Sequence, residues 1–429
     1  MKRKALALAV GALFIAPAAQ AQITFGNEQI GTLQIYGKLY PQFGWFSASN
    51  STQGGTAVSS LMSAGVGTAA SPITNLFPAG AVAEPLPRQS VDVGNSYIGF
   101  RGERGLGNTM GGLKAIWQIE TATNFDVGTG TWGSRDSFVG LSSHSFGTVR
   151  LGNMDTVYKS YGDTFSMFGI SSGNFVSASN VLSQAIGSNR AARFHERRTN
   201  SIMYETPTFS GFTAGIMYGP DEAKTSSRDA SLWSYGVKYD TERFYISLHQ
   251  EKHQDFFGLS NNIGNASLKN NGNAASHSND TATRLSAEFR LRQARITFDI
   301  AKLEYEETDP VLTAASPVKA AKYEHTTSAI GVEWGTGPWR FAGQYVMAGE
   351  GTCSFSNLAG NTTSCSAAGL EAKMYTLGAR YRFDRQTFVY AIYAHLDNGV
   401  SSAYNNNSNI GINTGTDTDN FALGISYSF

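Results

Sequence analysis

Over the last eleven residues, 419–429 (D-N-F-A-L-G-I-S-Y-S-F), apolar side chains recur at every second position. Phe421, Leu423, Ile425, Tyr427 and Phe429 fall on one face of an extended chain. Asn420, Ala422, Gly424, Ser426 and Ser428 fall on the other. In water such a strand needs a covering layer over its apolar face, and no helical period elsewhere in the chain provides one. The pattern fits lipid on one side and water on the other, at the length of about ten residues that a tilted transmembrane strand needs. A lone strand in hydrocarbon would leave an edge of unpaired backbone, so the sheet must close on itself.

The same period of two predicts strands over 32–46, 91–103, 110–121, 134–144, 147–154, 197–206, 211–219 and 231–240, and then over 243–252, 281–290, 294–305 and 324–334. Four more follow at 338–347, 372–383, 386–396 and 419–429, sixteen in all, an even number as in bacterial single-chain barrels. Apolar files such as Trp233, Tyr235, Val237 and Tyr239, or Phe388, Tyr390, Ile392, Ala394 and Leu396, face oil on this reading, and the intervening positions face water along every span. Connections alternate between tight turns (207–210, 241–242, 335–337, 384–385) and long Asn/Ser/Gly/Thr-rich loops (306–323, 397–418). Short turns on one side and long loops on the other is a membrane-barrel arrangement that a soluble sandwich has no reason to adopt. The expectation is an all-β, sixteen-stranded transmembrane antiparallel β-barrel. One long segment, 155–196, carries no strand pattern.

The first twenty-one residues change the address rather than the fold. Lys2, Arg3 and Lys4 precede an apolar run from Ala5 to Ala19, and Ala19-Gln20-Ala21 has the small-x-small form of a secretory cleavage site. Residues 1–21 are read as a signal peptide and 22–429 as a single barrel domain. The formal charge of the whole chain is zero, and loss of the three leader cations leaves a slight acidic excess. No nucleic-acid partner is implied. The 47 glycines and 12% aromatics, without a later helix-length apolar run, agree with a barrel. Cys353 and Cys365, twelve apart in an exported chain, are read as one disulfide closing a loop.

Several motifs resemble the general porins of Gram-negative bacteria, and most of all the β-proteobacterial branch. They are I-Y-G-K-L (35–39), S-Y-I-G-F-R-G-E (96–103), W-G-S-R-D-S-F-V-G-L (132–141), F-G-T-V-R-L-G (146–152) and N-S-I-M-Y-E-T-P-T-F-S-G-F (200–212), in order and with terminal Phe429. The resemblance implies a homotrimer in outer-membrane lipid and lipopolysaccharide, inserted by the barrel-assembly machinery through a C-terminal strand that ends in Phe429. It also implies passive diffusion of small hydrophilic solutes, with the third long loop, here 155–196, folded into the lumen as a constriction.

Carried over by position, the basic wall of that constriction would be Lys38, Arg135 and either Arg197 or Arg198, since one residue of register moves a side chain to the opposite face. Arg101 and Lys114 share the lumen parity. Tyr97 stands where enteric relatives carry another arginine, and the loop lacks their acidic P-E-F-G turn. It offers Asp155, Asp163 and Glu196 against Lys159, Arg190 and Arg193, so the constriction is expected to be net positive and moderately anion-preferring. Phe165, Phe168 and Phe175 are expected to pin the loop to the wall. The runner-up is a substrate-specific channel of the same architecture, and an enzymatic or autotransporter barrel is the third class. H-Q-E-K-H (249–253) imitates a zinc motif, but on a strand its histidines lie roughly 13 Å apart and cannot share an ion. No metal, cofactor or catalytic residue is implied.

Overall fold

In the computed structural model the described residues are 23–27, 31–61, 76–77, 80–108, 110–128, 130–170, 172–184, 193–220, 222, 224, 229–262, 276–308, 318–357, 362–406 and 410–429. The expected signal peptide lies outside them. The chain opens with β1 (Ile23–Asn27), β2 (Gly31–Leu39), β3 (Gln42–Ser49), β4 (Arg88–Asp92), β5 (Tyr97–Gly105) and β6 (Lys114–Ala122). Then come β7 (Ser137–Ser143), β8 (Gly147–Asp155), helices α1 (Val157–Gly162) and α2 (Ser179–Leu182), β9 (Arg197–Glu205), β10 (Phe212–Gly219) and β11 (Ser231–Asp240). They are followed by β12 (Phe244–Gln254), α3 (Gly258–Asn262), β13 (His277–Arg290), β14 (Ala294–Thr308), β15 (Val318–Thr336) and β16 (Trp339–Ala348). Last are β17 (Thr352–Asn357), β18 (Thr362–Cys365), β19 (Ala372–Arg382), β20 (Thr387–Asn398) and β21 (Asp417–Ser428).

All of these ladders are antiparallel, and sixteen spans form the ring once β2 with β3, and β4 with β5, are each taken as one broken span. The expected single spans 32–46 and 91–103 are thus each interrupted. Pro41 has no N–H to give a ladder, and the Tyr40 amide beside it donates instead to Ser96 Oγ (2.8 Å) in the neighbouring break. The first and last spans meet at Lys38↔Ser428 and Leu39↔Tyr427. Gly37 and Phe429 then exchange both amide–carbonyl bonds at 3.0 Å. A side chain at Gly37 would stand 2.5 Å from the Phe429 ring, so the seam needs a glycine there. The ring leaves no sheet edge in hydrocarbon, as expected of a membrane barrel.

Outward positions on β12 to β16 are large and apolar: Leu248, Leu285, Phe289, Ile296, Phe298, Ile300, Ile330, Val332, Trp334 and Phe341 are all exposed. The expected orientation fails in two places. On β20 the whole file from Phe388 through Tyr390, Ile392 and Ala394 to Leu396 is buried inside rather than facing oil, much of it packed with Met167 and Phe168. Towards the long-loop end of other strands the alternation inverts. The outward file of β14 changes from Ile300 to Lys302, Glu304 and Glu306, while Leu303 and Tyr305 point inward and are fully buried. On β15, Lys322 and Glu324 face out and Tyr323 faces in. Lys302 joins Glu304 (2.9 Å) and Glu324 (3.0 Å), and Lys322 joins Glu306 (2.9 Å). Charged side chains cannot face lipid tails, so these positions lie past the apolar band. Inside, Leu303, Tyr305 and Tyr323 share a core with Leu61, Leu182, Phe194, Leu259, Leu370 and Tyr404 from the connecting segments. Each such side chain contributes about 1.5–3 kcal/mol by leaving water.

Residues 353 and 365 are directly paired across the β17–β18 hairpin and form the expected disulfide, with Cα atoms 5.2 Å apart. The hairpin attaches to the ring through β17, on the part of β15 that overhangs β16. Breaking the bond by Cys353→Ser or by a reductant is therefore expected to leave barrel sheet content and heat-resistant gel mobility unchanged. A disulfide closing a loop of this size stabilises by about 3 kcal/mol, so protease cleavage within the hairpin should speed up on the order of a hundredfold. Loss of the folded gel band on reduction would contradict this placement.

Candidate functional site

The segment between β8 and β9 contains α1 and α2 rather than being free of regular structure, and it runs against the inward side chains of the wall. Thr156 caps α1, its Oγ1 accepting from the Lys159 amide (3.2 Å). Val157, Tyr158 and Tyr161 are buried against the wall. The Tyr158 amide donates to Ser234 Oγ (2.8 Å), and Tyr245 Oη and Ser247 Oγ donate to the Tyr161 carbonyl (2.6 and 3.0 Å). Arg284, held by Asp299 (2.8 Å), donates to the Gly162 carbonyl, and Thr164 Oγ1 donates to Asp299 (3.1 Å). Further along, Asn174 Nδ2 donates to Gln42 (3.2 Å), and Thr327 Oγ1 donates to the Leu182 carbonyl (2.9 Å).

Three wall glycines serve as sockets. A Cβ at Gly215 would stand 2.8 Å from Tyr161 Oη, one at Gly331 2.5 Å from the Phe165 ring, and one at Gly378 2.8 Å from both Met167 Sδ and the Phe168 ring. Phe175 packs edge-on to Phe46, with centroids 6.0 Å apart. The wall is thus shaped to receive the segment at successive strands from β10 round to β3. Close packing of this kind holds one arrangement.

The cations expected on the wall are distributed unevenly among carboxylates. Arg135 lies in the connection just ahead of β7, bonds Glu120 and covers the Tyr97 ring (Cζ 4.8 Å from the centroid). Tyr36 Oη also donates to Glu120 (3.0 Å). Arg197 reaches Asp136 and Asp155, both at 2.7 Å, and Lys159 shares Asp155 (2.9 Å). Lys38 is different: its Nζ donates to the Gly169 carbonyl (3.1 Å) and sits 4.3 Å above the Tyr40 ring. The ladder between β8 and β9 slips by one residue between Gly152↔Ser201 and Met154↔Arg198, with Asn200 at φ +52°. That bulge lets both arginines leave the outward face. Arg197 goes to the carboxylates, and Arg198 lies over the Phe256 ring (4.9 Å) with its buried Nε lacking a hydrogen-bond partner among the described residues.

Arg101 donates to Gln34 (2.9 Å) and stacks on Tyr36 (4.8 Å), and Lys114 pairs with Glu103 (2.8 Å). Within the segment, Asp163 bonds buried His195 and Arg193 donates to Ser179 Oγ (2.9 Å), so both serve its internal packing. The Glu196 carbonyl accepts from the Thr156 amide (3.0 Å), and burial pushes its carboxyl up to about 7. Arg190 lies outside the described residues. Three residues not picked out as site residues in the sequence belong here: Glu120, Asp136 and Arg380, whose Cζ is 5.5 Å from the Phe168 ring. Glu120 shared the lumen parity of Lys114, and Arg380 that of Gly378, so parity was the available signal. Asp136 merely follows Arg135 in sequence.

Comparisons with known proteins agree with this geometry. A profile of the Gram-negative porin family matches residues 5–401. The major outer membrane protein P.IB of Neisseria lactamica is 32% identical over 152 residues, 35% of this chain and 40% of that protein. Its counterpart from Neisseria gonorrhoeae is 36% identical over 151 residues, 35% of this chain and 39% of that one. The chain thus spans about two fifths of the length of these curated relatives. Among solved structures, the anion-selective porin from Comamonas acidovorans superposes with a TM-score of 0.61 at 18% identity, covering 93% of this chain and all of that one. Outer-membrane-expressed OmpT of Vibrio cholerae gives 0.58 at 14% identity, over 94% and 99%. At such identities these two share the fold.

Gly378→Val tests the sockets. Valine suits a strand, so the folded gel mobility should persist, while Met167 and Phe168 must move and conductance in planar bilayers should become noisy or change by more than a quarter. Conductance and noise identical to wild type would show that the segment does not depend on this contact.

Proposed function

The chain belongs to the Gram-negative porin family, and from that premise we propose that it forms a water-filled channel through which small hydrophilic solutes and ions diffuse across the outer membrane. One observation carries the reading: a wall closed through Gly37 and Phe429, apolar on its outward file and lined inside with ionised and hydroxyl side chains. Such a wall separates lipid from an aqueous interior. The inserted segment narrows that interior opposite Lys38, Arg135 and Arg197.

A moderate preference for anions accompanies it. Lys38, Arg135, Lys159 and Arg197 are set against Glu120, Asp136 and Asp155, which leaves a net positive charge, and Lys38 faces a carbonyl rather than a carboxylate. In a narrow aqueous passage with low-dielectric walls a small residual charge biases ion occupancy. The functional unit in this reading is a homotrimer. Its support is a continuous outward aromatic face beside the seam, where Phe43 and Trp45 are 4.7 Å apart and Trp45 and Phe421 5.6 Å apart. Lipopolysaccharide headgroups are suitable neighbours for the charged fringe of Lys302, Glu304, Glu306, Lys322 and Glu324. The C-terminal strand ending in Phe429 would engage the assembly machinery after removal of residues 1–21.

Reversal potential in a salt gradient tests the channel and its sign. We expect current with an anion-selective potential, and a cation-selective wild type would reject the charge assignment. A unit charge about 5 Å from the ion path is worth about 0.8 kcal/mol in water. Lys38→Glu, a change of two units, moves anion and cation in opposite directions, so the anion-to-cation permeability ratio should fall by more than about tenfold even with salt screening. The Glu196 carboxyl adds a pH dependence. It is neutral below its raised pKa of about 7 and negative above it, so anion preference should weaken as pH rises through 7. Glu196→Gln should flatten that profile, and an unchanged slope would exclude Glu196 as its source.

A further inference from the structure

A second cationic group lies at the short-turn mouth and reaches the constriction through Arg380 alone. Arg340 on β16 and Arg380 on β19 are direct partners in the ladder. Arg382 follows two residues along the same face, and Arg292 enters from the β13–β14 turn. With Gln293, the turn 335–338 and Trp339 they line a cavity of about 210 Å³. A cavity of that size ringed by four guanidinium groups suits a multivalent anion better than a single halide.

Two arginines beside this cavity are paired: Arg290 with Asp240 (2.6 Å) and Glu288 (3.1 Å), and Arg295 with Glu333 (3.0 Å). Glu333 is therefore already engaged, and Asp384 on the adjacent turn accepts from its own backbone at Gln386 and Thr387 (2.8 and 2.7 Å). None of Arg292, Arg340, Arg380 and Arg382 has a carboxylate within ion-pair distance among the described residues. The Nε of Arg380 is buried without a hydrogen-bond partner among the described residues. Like charges directly opposite in a ladder destabilise the sheet, and a guanidinium fork matches phosphate oxygens in pairs. Four such forks surround this one cavity.

We propose that Arg292, Arg340, Arg380 and Arg382 form a binding site for soluble multivalent phosphate-type anions at the short-turn mouth of the barrel. Aromatic neighbours connect it to the constriction. The Arg380 guanidinium lies 4.9 Å from the Phe388 ring, which packs on Tyr40 (centroids 6.2 Å apart), and Tyr40 lies beneath Lys38. An anion released by Lys38 thus meets Arg380 next. The site goes beyond the diffusion channel and rests on it only for which mouth it occupies.

Calorimetric titration of the folded full-length protein in detergent with inorganic pyrophosphate, at constant ionic strength in chloride, tests the site directly. We expect saturable binding that weakens at least tenfold in Arg340→Gln/Arg382→Gln and changes less than twofold in Lys38→Gln. The charge-preserving Arg340→Lys/Arg382→Lys should fall between, and it also serves if the glutamine pair fails to fold. In planar bilayers, pyrophosphate should reduce wild-type conductance at lower concentration from the short-turn side than from the loop side. No saturable binding, binding unaffected by the arginine substitutions, or equal loss in Lys38→Gln would each overturn the proposal. Binding by a protein that carries no current would uphold the site and remove the channel reading instead.

Discussion

Every backbone amide that faces hydrocarbon must have a partner within the protein, and the rest of this structure depends on that requirement. It forces the strands into a ring, and the ring succeeds or fails at one seam. There Gly37 and Phe429 bond each other in both directions and the terminal ring lies over the glycine. Closure fixes which face of every strand is inside, and so decides at once where lipid, water and the inserted segment can be.

Within the ring, packing and charge divide the work. The β8–β9 segment is held by shape at Gly215, Gly331 and Gly378 and by hydrogen bonds to its carbonyls from Tyr245, Arg284 and Lys38. Its position owes little to its own carboxylates, because Asp163 is turned to His195 and Asp155 to Lys159 and Arg197. Most wall cations are matched nearby, so the field left over the passage comes from those without a carboxylate partner, among them Lys38 and Arg198 within and the arginines at the short-turn mouth. A channel lined this way acts on ions through small differences between large and mostly cancelled charges.

Much of the fold was legible because a strand in a two-phase environment writes its orientation into the sequence. The files through Trp233 and Val237 and through Leu423 and Ile425 needed only a period of two to be placed, and the alternation of short and long connections gave their order. The pairing of Cys353 with Cys365 was equally accessible. Legibility stopped where the environment stopped being oil against water. Past the apolar band, Leu303, Tyr305 and Tyr323 are inside and Lys302 and Glu324 outside, because loops bury one surface and solvent wets the other. The breaks at Tyr40–Pro41 and before Tyr97 were likewise missed by reading each span as continuous.

By itself the sequence determined the class of fold, the number of spans, the segment that enters the ring and the inward side of Lys38, Arg101, Lys114 and Glu120. The fold class, the spans and the inward sides follow from local periodicity, which solvent and lipid impose on each strand separately, while the entry of 155–196 into the ring was implied by the resemblance to general porins. Only the tertiary structure decided that Arg197 binds Asp136 and Asp155 while Arg198 turns to Phe256, that Lys38 finds a carbonyl, and that four arginines converge at the short-turn mouth. Those outcomes depend on a one-residue bulge and on contacts between strands far apart in the chain. Local periodicity carries no information about either.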